Sequence, residues 1–124
     1  MEFQKDNTFF RGRLKSLEFA FKGAIKLITT EHSIMVQSTL AVLFIIAGFY
    51  FHISHEEWLF QTLGIGLVLS IEGLNTAVEK VADFIHPEFH KKIGFIKDIA
   101  AGAVFFAAMT AIAIVLMIYL PKFT

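Results

Sequence analysis

Residues 99–121 read IAAGAVFFAAMTAIAIVLMIYLP, a run of 23 positions without one Asp, Glu, Lys or Arg. Residues 32–55, HSIMVQSTLAVLFIIAGFYFHISH, form a second such run of 24 positions. A helix crosses the hydrocarbon core of a bilayer, about 30 Å thick, with roughly 20 mainly apolar residues. Both runs therefore predict transmembrane helices, which we place over residues 33–53 and 98–120.

The stretch between these runs, residues 58–85, is apolar at first and then acquires charged residues. It reads WLFQTLGIGLVLSIEGLNTAVEKVADFI, and no charged residue precedes Glu72 in it. Pro87 follows closely, and proline disfavours helical structure at the residue before it. We predict a further transmembrane helix over 58–85, whose end emerges into water near Asp83.

The first thirty residues have an amphipathic pattern. Apolar residues recur at intervals of three and four, which is typical of one face of a helix, and basic residues lie on the other side. The apolar face holds Leu14, Leu17, Phe21, Ile25 and Ile28, and the basic face holds Arg11, Lys15, Lys22 and Lys26. A basic amphipathic helix of this kind lies in the membrane interface, and we predict one over residues 8–30.

The composition agrees with a membrane protein. Of the 124 residues 56% are apolar and 18% are charged, and the mean hydropathy is +0.64. Average soluble domains have about 45–50% apolar and about 25% charged residues, and a soluble domain this small leaves much of its surface in water. The low charge also argues against nucleic-acid binding. Without cysteine the chain has no disulfide, thiolate metal site or cysteine nucleophile. We predict an all-α integral membrane protein with a single domain, residues 1–124.

Lysine and arginine residues predict the orientation of the chain. Four of them lie at the end of the 58–85 helix or in the connection to the next span, none lies near residues 54–57, and only Lys122 follows the last span. Six precede the first span: Lys5, Arg11, Arg13, Lys15, Lys22 and Lys26. Because positive residues remain cytoplasmic, we expect the amino terminus and the 86–98 loop in the cytoplasm and the carboxyl terminus outside.

A polar stripe follows the second half of the 58–85 helix. Glu72, Asn75, Glu79 and Asp83 are spaced by three, four and four residues, which places them on one helix face. Even lower estimates put a charge at the bilayer centre at about 2.5–3.5 kcal/mol, so such residues indicate a functional site. Clustered carboxylates suit Mg²⁺, and a carboxylate can act as a general base on a hydroxyl group. The alternative is that Glu79 and Asp83 form only the hydrated end of the helix.

Two more features lie at the same membrane level. Glu31 is at the junction of the amphipathic helix and the first span, and Lys97 and Asp98 precede the last span. Lys97 could contact a phosphate group, or could serve only as a positive anchor at the membrane surface. The residues by themselves thus predict a membrane protein with an acidic, metal-binding site at its cytoplasmic interface.

Residues 72–83, EGLNTAVEKVAD, match the pattern E-x-x-N-[ST]-A-x-E-x-x-x-D and are followed by Lys97-Asp98. In this the chain resembles the prokaryotic diacylglycerol kinase and undecaprenol kinase family, and the likeness covers nearly the whole chain. The resemblance implies a homotrimeric kinase of the bacterial inner membrane with active sites between protomers. Such an enzyme transfers the γ-phosphate of ATP to a membrane lipid alcohol.

The resemblance also implies roles for individual residues. Glu72 would be the general base on the lipid hydroxyl, and Glu31 and Glu79 would hold the Mg²⁺ ion that bridges the phosphates. The implied nucleotide-binding residues are Glu31, Asn75, Glu79, Asp83, Lys97 and Asp98. These roles agree with the demands of phosphoryl transfer, which are positioning and charge neutralisation.

The chain departs from the family pattern after Glu31, where Met35 and Gln37 replace the expected charged residues, and we assign these two no role. After Lys97-Asp98 the segment Ala100-Ala101-Gly102 resembles the undecaprenol kinase branch. We therefore expect undecaprenol to be phosphorylated at least as well as diacylglycerol, giving undecaprenyl phosphate or phosphatidic acid, respectively.

Two other classes of function are compatible with the polar stripe. One is a small cation- or proton-coupled transporter that uses Glu72 as its binding carboxylate, and the other is a membrane assembly factor without catalytic activity. The stripe lies towards the cytoplasmic end of its helix and not at the midplane, which argues against the transporter. The cost of burying carboxylates argues against the assembly factor.

Overall fold

The computed structural model of the chain describes residues 9–124. Every regular element in this part is helical, which confirms the prediction of an all-α fold. The elements are α1 (Phe9–Thr30), α2 (His32–Tyr50), α3 (His55–Ile85), α4 (Lys91–Tyr119) and a short 3-10 helix, Leu120–Phe123. Position 8 of the predicted amphipathic helix, and Lys5 of the charge pattern, lie outside the described residues.

Two helices are long and apolar enough to cross a membrane, namely His32–Tyr50 and the continuous helix Lys91–Phe123. They correspond to the predicted spans 33–53 and 98–120. The longest helix, α3, is not one of the two, since the polar residues of its stripe lower its hydropathy. The membrane span over 58–85 therefore stays a prediction.

Both ends of α3 have clear local causes. At its start, Ser54 and Glu57 form a capping box, in which the Glu57 backbone N–H donates to Ser54 Oγ (3.1 Å) and the Ser54 N–H donates to Glu57 Oε1 (2.8 Å). The helix thus begins at His55, three residues before the predicted start. It ends at Ile85, two residues before Pro87, as the sequence predicts.

The helices pack as an antiparallel bundle in which α3 and α4 form the most extensive pair. Tyr50, His55 and Tyr119 lie at the end of the bundle opposite the one where α3 ends and α4 begins, and we call it the far end. There Tyr119 Oη donates a hydrogen bond to Gln61 Oε1 (2.6 Å), and Gln61 Nε2 donates to the Phe44 carbonyl (3.1 Å). These two bonds join α2, α3 and α4, and both side chains are buried.

The far end is also closely packed. A Cβ atom at Gly48 would lie only 2.5 Å from Cη2 of Trp58, so the close approach of α2 to the indole ring requires glycine. Ile53 and Ile118 are buried beside this contact. The far end thereby fixes the helix register, and the opposite end, where α3 ends and α4 begins, holds the polar stripe.

Candidate active site

Glu72 is the first residue of the polar stripe on α3. Its exposed fraction is 8%, and it is the one buried carboxylate among residues 9–124. In this part of the chain its carboxylate has no hydrogen-bond or ion-pair partner. An unpartnered carboxylate in a mostly buried residue is costly, and its oxygens are accessible to a ligand.

Asn75 and Glu79 follow one and two turns later on the same face. Asn75 Nδ2 donates a hydrogen bond to Glu79 Oε1 at 2.8 Å, which orients this carboxylate. Asn75 Oδ1 is buried and has no hydrogen-bond partner within residues 9–124. An unpaired buried acceptor costs about 1–3 kcal/mol, so this oxygen is available to a ligand.

Glu31 reaches α3 from the junction of α1 and α2. It occupies the residue before α2 in an extended conformation (φ −105°, ψ 116°), but its side chain does not cap that helix. Instead Glu31 Oε1 lies 3.1 Å from Nζ of Lys80, the residue next to Glu79. Leu27 rests on Gly73, where a Cβ atom would lie 3.2 Å from Leu27 Cδ1, so the end of α1 packs closely against α3.

Lys97 joins α4 to the end of the stripe. Its Nζ donates to Asp83 Oδ1 at 2.6 Å. The bond places the lysine side chain beside the stripe, as a contact with phosphate would require. Asp98, the next residue, makes no side-chain hydrogen bond or ion pair within residues 9–124. The single chain thus brings six of the seven predicted site residues to α3 or into contact with it, and Asp98 is the one that makes no such contact within residues 9–124.

A Mg²⁺ ion bound by protein alone needs several oxygen ligands close together. Within the described part of the chain no three His, Asp or Glu side chains form a cluster suited to a metal ion. Mg²⁺, however, commonly binds through one or two carboxylates together with substrate phosphates. Glu79 and the unpaired Asn75 Oδ1 share one face of α3, and Glu31 contacts the neighbouring Lys80, so the oxygen ligands that a site of this second kind uses are present here.

The structure gives contacts to two residues to which the sequence assigns no role in the site. Lys80, which in the sequence indicates only orientation, contacts Glu31. Gln37 lines a largely apolar cleft of about 270 Å³ between α2, α3 and α4, and Leu69, one turn before Glu72, lines the same cleft. Both positions depend on how the helices pack, and no local pattern indicates them.

Comparison with known proteins decides the family. The sequence model of the family described as prokaryotic diacylglycerol kinase matches residues 18–119. The chain belongs to this family. Undecaprenol kinase of Bacillus subtilis (strain 168) is 37% identical to it over 116 residues, covering 94% of this chain and 91% of that protein. Diacylglycerol kinase of Synechocystis sp. is 30% identical over 109 residues, covering 87% of this chain and 62% of that protein.

Membership in the diacylglycerol kinase family confirms the resemblance seen in the stripe, and it confirms that the protein is a lipid kinase. A membrane location agrees with the two helices that are apolar enough to span a bilayer. The transporter alternative gains no support from these relatives.

Proposed function

We propose that this kinase transfers the γ-phosphate of ATP to the hydroxyl group of a membrane lipid alcohol, with Glu72 as the general base. The observation that carries the proposal is Glu72, a residue 8% exposed whose carboxylate has no partner within residues 9–124. It lies one turn from Leu69, which lines the apolar cleft. A lipid with its apolar part near this cleft would present its hydroxyl group to the carboxylate.

The chemical step follows from these positions. Glu72 accepts the proton of the lipid hydroxyl group as its oxygen forms a bond to the γ-phosphorus. The bond from that phosphorus to the β–γ bridging oxygen breaks, and ADP leaves. General-base assistance of this kind contributes about 10²–10⁴ in rate.

The remaining residues of the site hold the nucleotide. Glu31 and Glu79 would hold Mg²⁺, with Glu79 oriented by Asn75. Charge neutralisation on the phosphates comes from this ion when it is bound. Lys97 contacts a phosphate group, Asp83 positions the lysine through their 2.6 Å contact, and Asp98 completes the nucleotide site.

We further propose that the active enzyme is a homotrimer with sites shared between protomers. α1 has no buried residue, and the apolar Leu74 and Val81 of α3 are 63% and 57% exposed in the single chain. Neighbouring protomers and lipid would cover these surfaces. The arrangement agrees with Asp98, which is not joined to the other site residues of its own chain.

The proposed topology is that of a single domain, residues 1–124, in the bacterial inner membrane. α1 lies in the interface and α2, α3 and α4 span the bilayer. The positive residues support a cytoplasmic amino terminus and 86–98 loop, and an external carboxyl terminus. The site residues then face ATP in the cytoplasm.

For the lipid we propose undecaprenol, with turnover at least equal to that of diacylglycerol. Support comes from the Ala100-Ala101-Gly102 segment and from the extensive similarity to a protein named undecaprenol kinase. A Cβ atom at Gly102 would meet no atom within 4 Å, so the single chain has open space there.

The test is a lipid panel. Purified protein is incubated with Mg-ATP and with undecaprenol, diacylglycerol, both lipids together, or no lipid. Phosphorylated lipid is expected only where lipid is present, with undecaprenol competing at least equally. A strong preference for diacylglycerol would overturn the choice of lipid, and the absence of any phosphorylated lipid would overturn the proposed reaction.

A further inference from the structure

Lys80 contacts the site but has no role in the proposed reaction. It follows Glu79 on α3, and its Nζ lies 3.1 Å from Glu31 Oε1. The Lys80 ammonium group thus lies against an oxygen of Glu31, one proposed metal ligand, and Lys80 is next in sequence to Glu79, the other proposed ligand.

The Glu31 backbone is held in place independently of this contact. Its N–H donates to the Leu27 carbonyl (3.2 Å), and its own carbonyl accepts from the Met35 N–H (3.0 Å). The side chain, in contrast, makes no capping bond to α2. The carboxylate can therefore exchange one cationic partner for another without any change in the backbone around it.

The side chains of Glu31 and Lys80 differ in how much of their surface is exposed to solvent. The Glu31 side chain is 24% exposed, whereas the Lys80 side chain is 70% exposed. A lysine ammonium group is a single, strongly hydrated charge on a flexible four-carbon stem, and it can withdraw into water at little cost. A divalent cation carries twice the charge of the ammonium group and can bind carboxylate and phosphate oxygens at the same time.

We propose that Lys80 is a positioning residue that occupies the Glu31 carboxylate until a divalent cation takes the same oxygen. In the metal-free protein the lysine neutralises the Glu31 carboxylate, and it competes modestly with the metal. This inference rests on the proposed role of Glu31 as a metal ligand. An exposed ion pair of this kind corresponds to a factor of about 1.5 to 5 in affinity.

Lys80→Met tests the competition, because it keeps a long side chain and removes the charge. Mn²⁺ binding to the purified, detergent-solubilised protein is measured by electron paramagnetic resonance, with a saturating non-hydrolysable ATP analogue and without lipid. The variant is expected to bind Mn²⁺ about 1.5- to 5-fold more tightly than the wild type. The Mg²⁺ concentration that gives half-maximal lipid phosphorylation is expected to fall by the same factor.

Three further variants separate direct competition from a general change in charge. Lys80→Arg keeps the charge and is expected to restore the wild-type Mn²⁺ affinity. Lys22→Met removes a lysine from another exposed pair, with Glu18 at 3.1 Å on α1, and is expected to leave that affinity unchanged. In a Glu31→Gln background, Lys80→Met is expected to have no further effect.

Several results would overturn the inference. They are an unchanged Mn²⁺ affinity in Lys80→Met, an equal shift in Lys22→Met, a shift that persists without the Glu31 carboxylate, or no Mn²⁺ binding by the wild type. Because Mn²⁺ binding is measured with a nucleotide that cannot react and without lipid, these outcomes are independent of the phosphorylation assay. A chain that phosphorylates lipid but shows no shift in Mn²⁺ affinity retains the proposed reaction and loses only the role of Lys80.

Discussion

Replacing the Glu72 carboxylate by an amide removes the proposed base and nearly nothing else. Glu72→Gln keeps the size and shape of a side chain that is 8% exposed and has no partner within residues 9–124. Since a neutral amide costs less to bury than an unpaired carboxylate, the variant is expected to fold as the wild type does. A loss of activity would then report on the reaction and not on folding.

The size of the loss follows from the role. Removal of general-base assistance is expected to lower the rate of lipid phosphorylation by about 10²–10⁴, which corresponds to about 3–5 kcal/mol of transition-state stabilisation. Half-saturating concentrations of Mg-ATP are expected to change far less, because Glu72 accepts the lipid proton and does not bind the nucleotide.

The assay compares initial rates of lipid phosphorylation at saturating Mg-ATP and lipid for Glu72→Gln, the wild type and Glu56→Gln. Glu56 is exposed at the start of α3, so the same chemical change there is expected to leave the rate unaltered. Circular dichroism and gel filtration confirm that all three proteins are folded. A folded Glu72→Gln protein with a rate within tenfold of the wild type would refute the assignment of the base.

Three further perturbations test the metal site, the shared sites and the packing. Glu79→Gln removes a proposed ligand and is expected to raise the half-saturating Mg²⁺ concentration about tenfold or more; an unchanged Mg²⁺ titration would exclude the ligand role. Mixed oligomers of Glu72→Gln and Asp98→Asn protomers are expected to recover part of the activity that each variant lacks alone, and no recovery after confirmed mixing would argue against shared sites. Gly48→Ala places a Cβ atom 2.5 Å from a neighbouring side-chain atom and is expected to cost about 1–3 kcal/mol of unfolding free energy. Gly66→Ala, where a Cβ atom would meet nothing within 4 Å, serves as its control in the same denaturation experiment, and equal stabilities would contradict the packing argument.

The parts of the fold that depend on local sequence were predictable. Helix periodicity places Glu72, Asn75 and Glu79 on one face, and the hydrogen bond between the last two follows from their spacing of four residues. Pro87 accounts for the end of α3. The start of α3 was also readable, because Ser54 and Glu57 have the spacing of a capping box, but the predicted span began only after them.

The contacts between helices could not be predicted in this way. Lys80 meets Glu31 across 49 positions of sequence, where the end of α1 packs against α3 at Gly73. The buried bond between Gln61 and Tyr119 likewise joins residues 58 positions apart. Periodicity determines the face of a helix on which a side chain lies, but the partner opposite that face is set by packing.

The most direct test of the central claim follows the γ-phosphate itself. Purified wild-type protein and Glu72→Gln are incubated in mixed micelles with undecaprenol, Mg²⁺ and ATP labelled at the γ-phosphate, and the lipid fraction is extracted and counted. The wild type is expected to transfer label to the lipid with formation of one ADP per labelled lipid. The rate of this transfer is expected to be about 10²–10⁴-fold lower in Glu72→Gln. A parallel incubation contains diacylglycerol in place of undecaprenol. The account would be contradicted if, with both lipids, the label remained in ATP or was released only as inorganic phosphate.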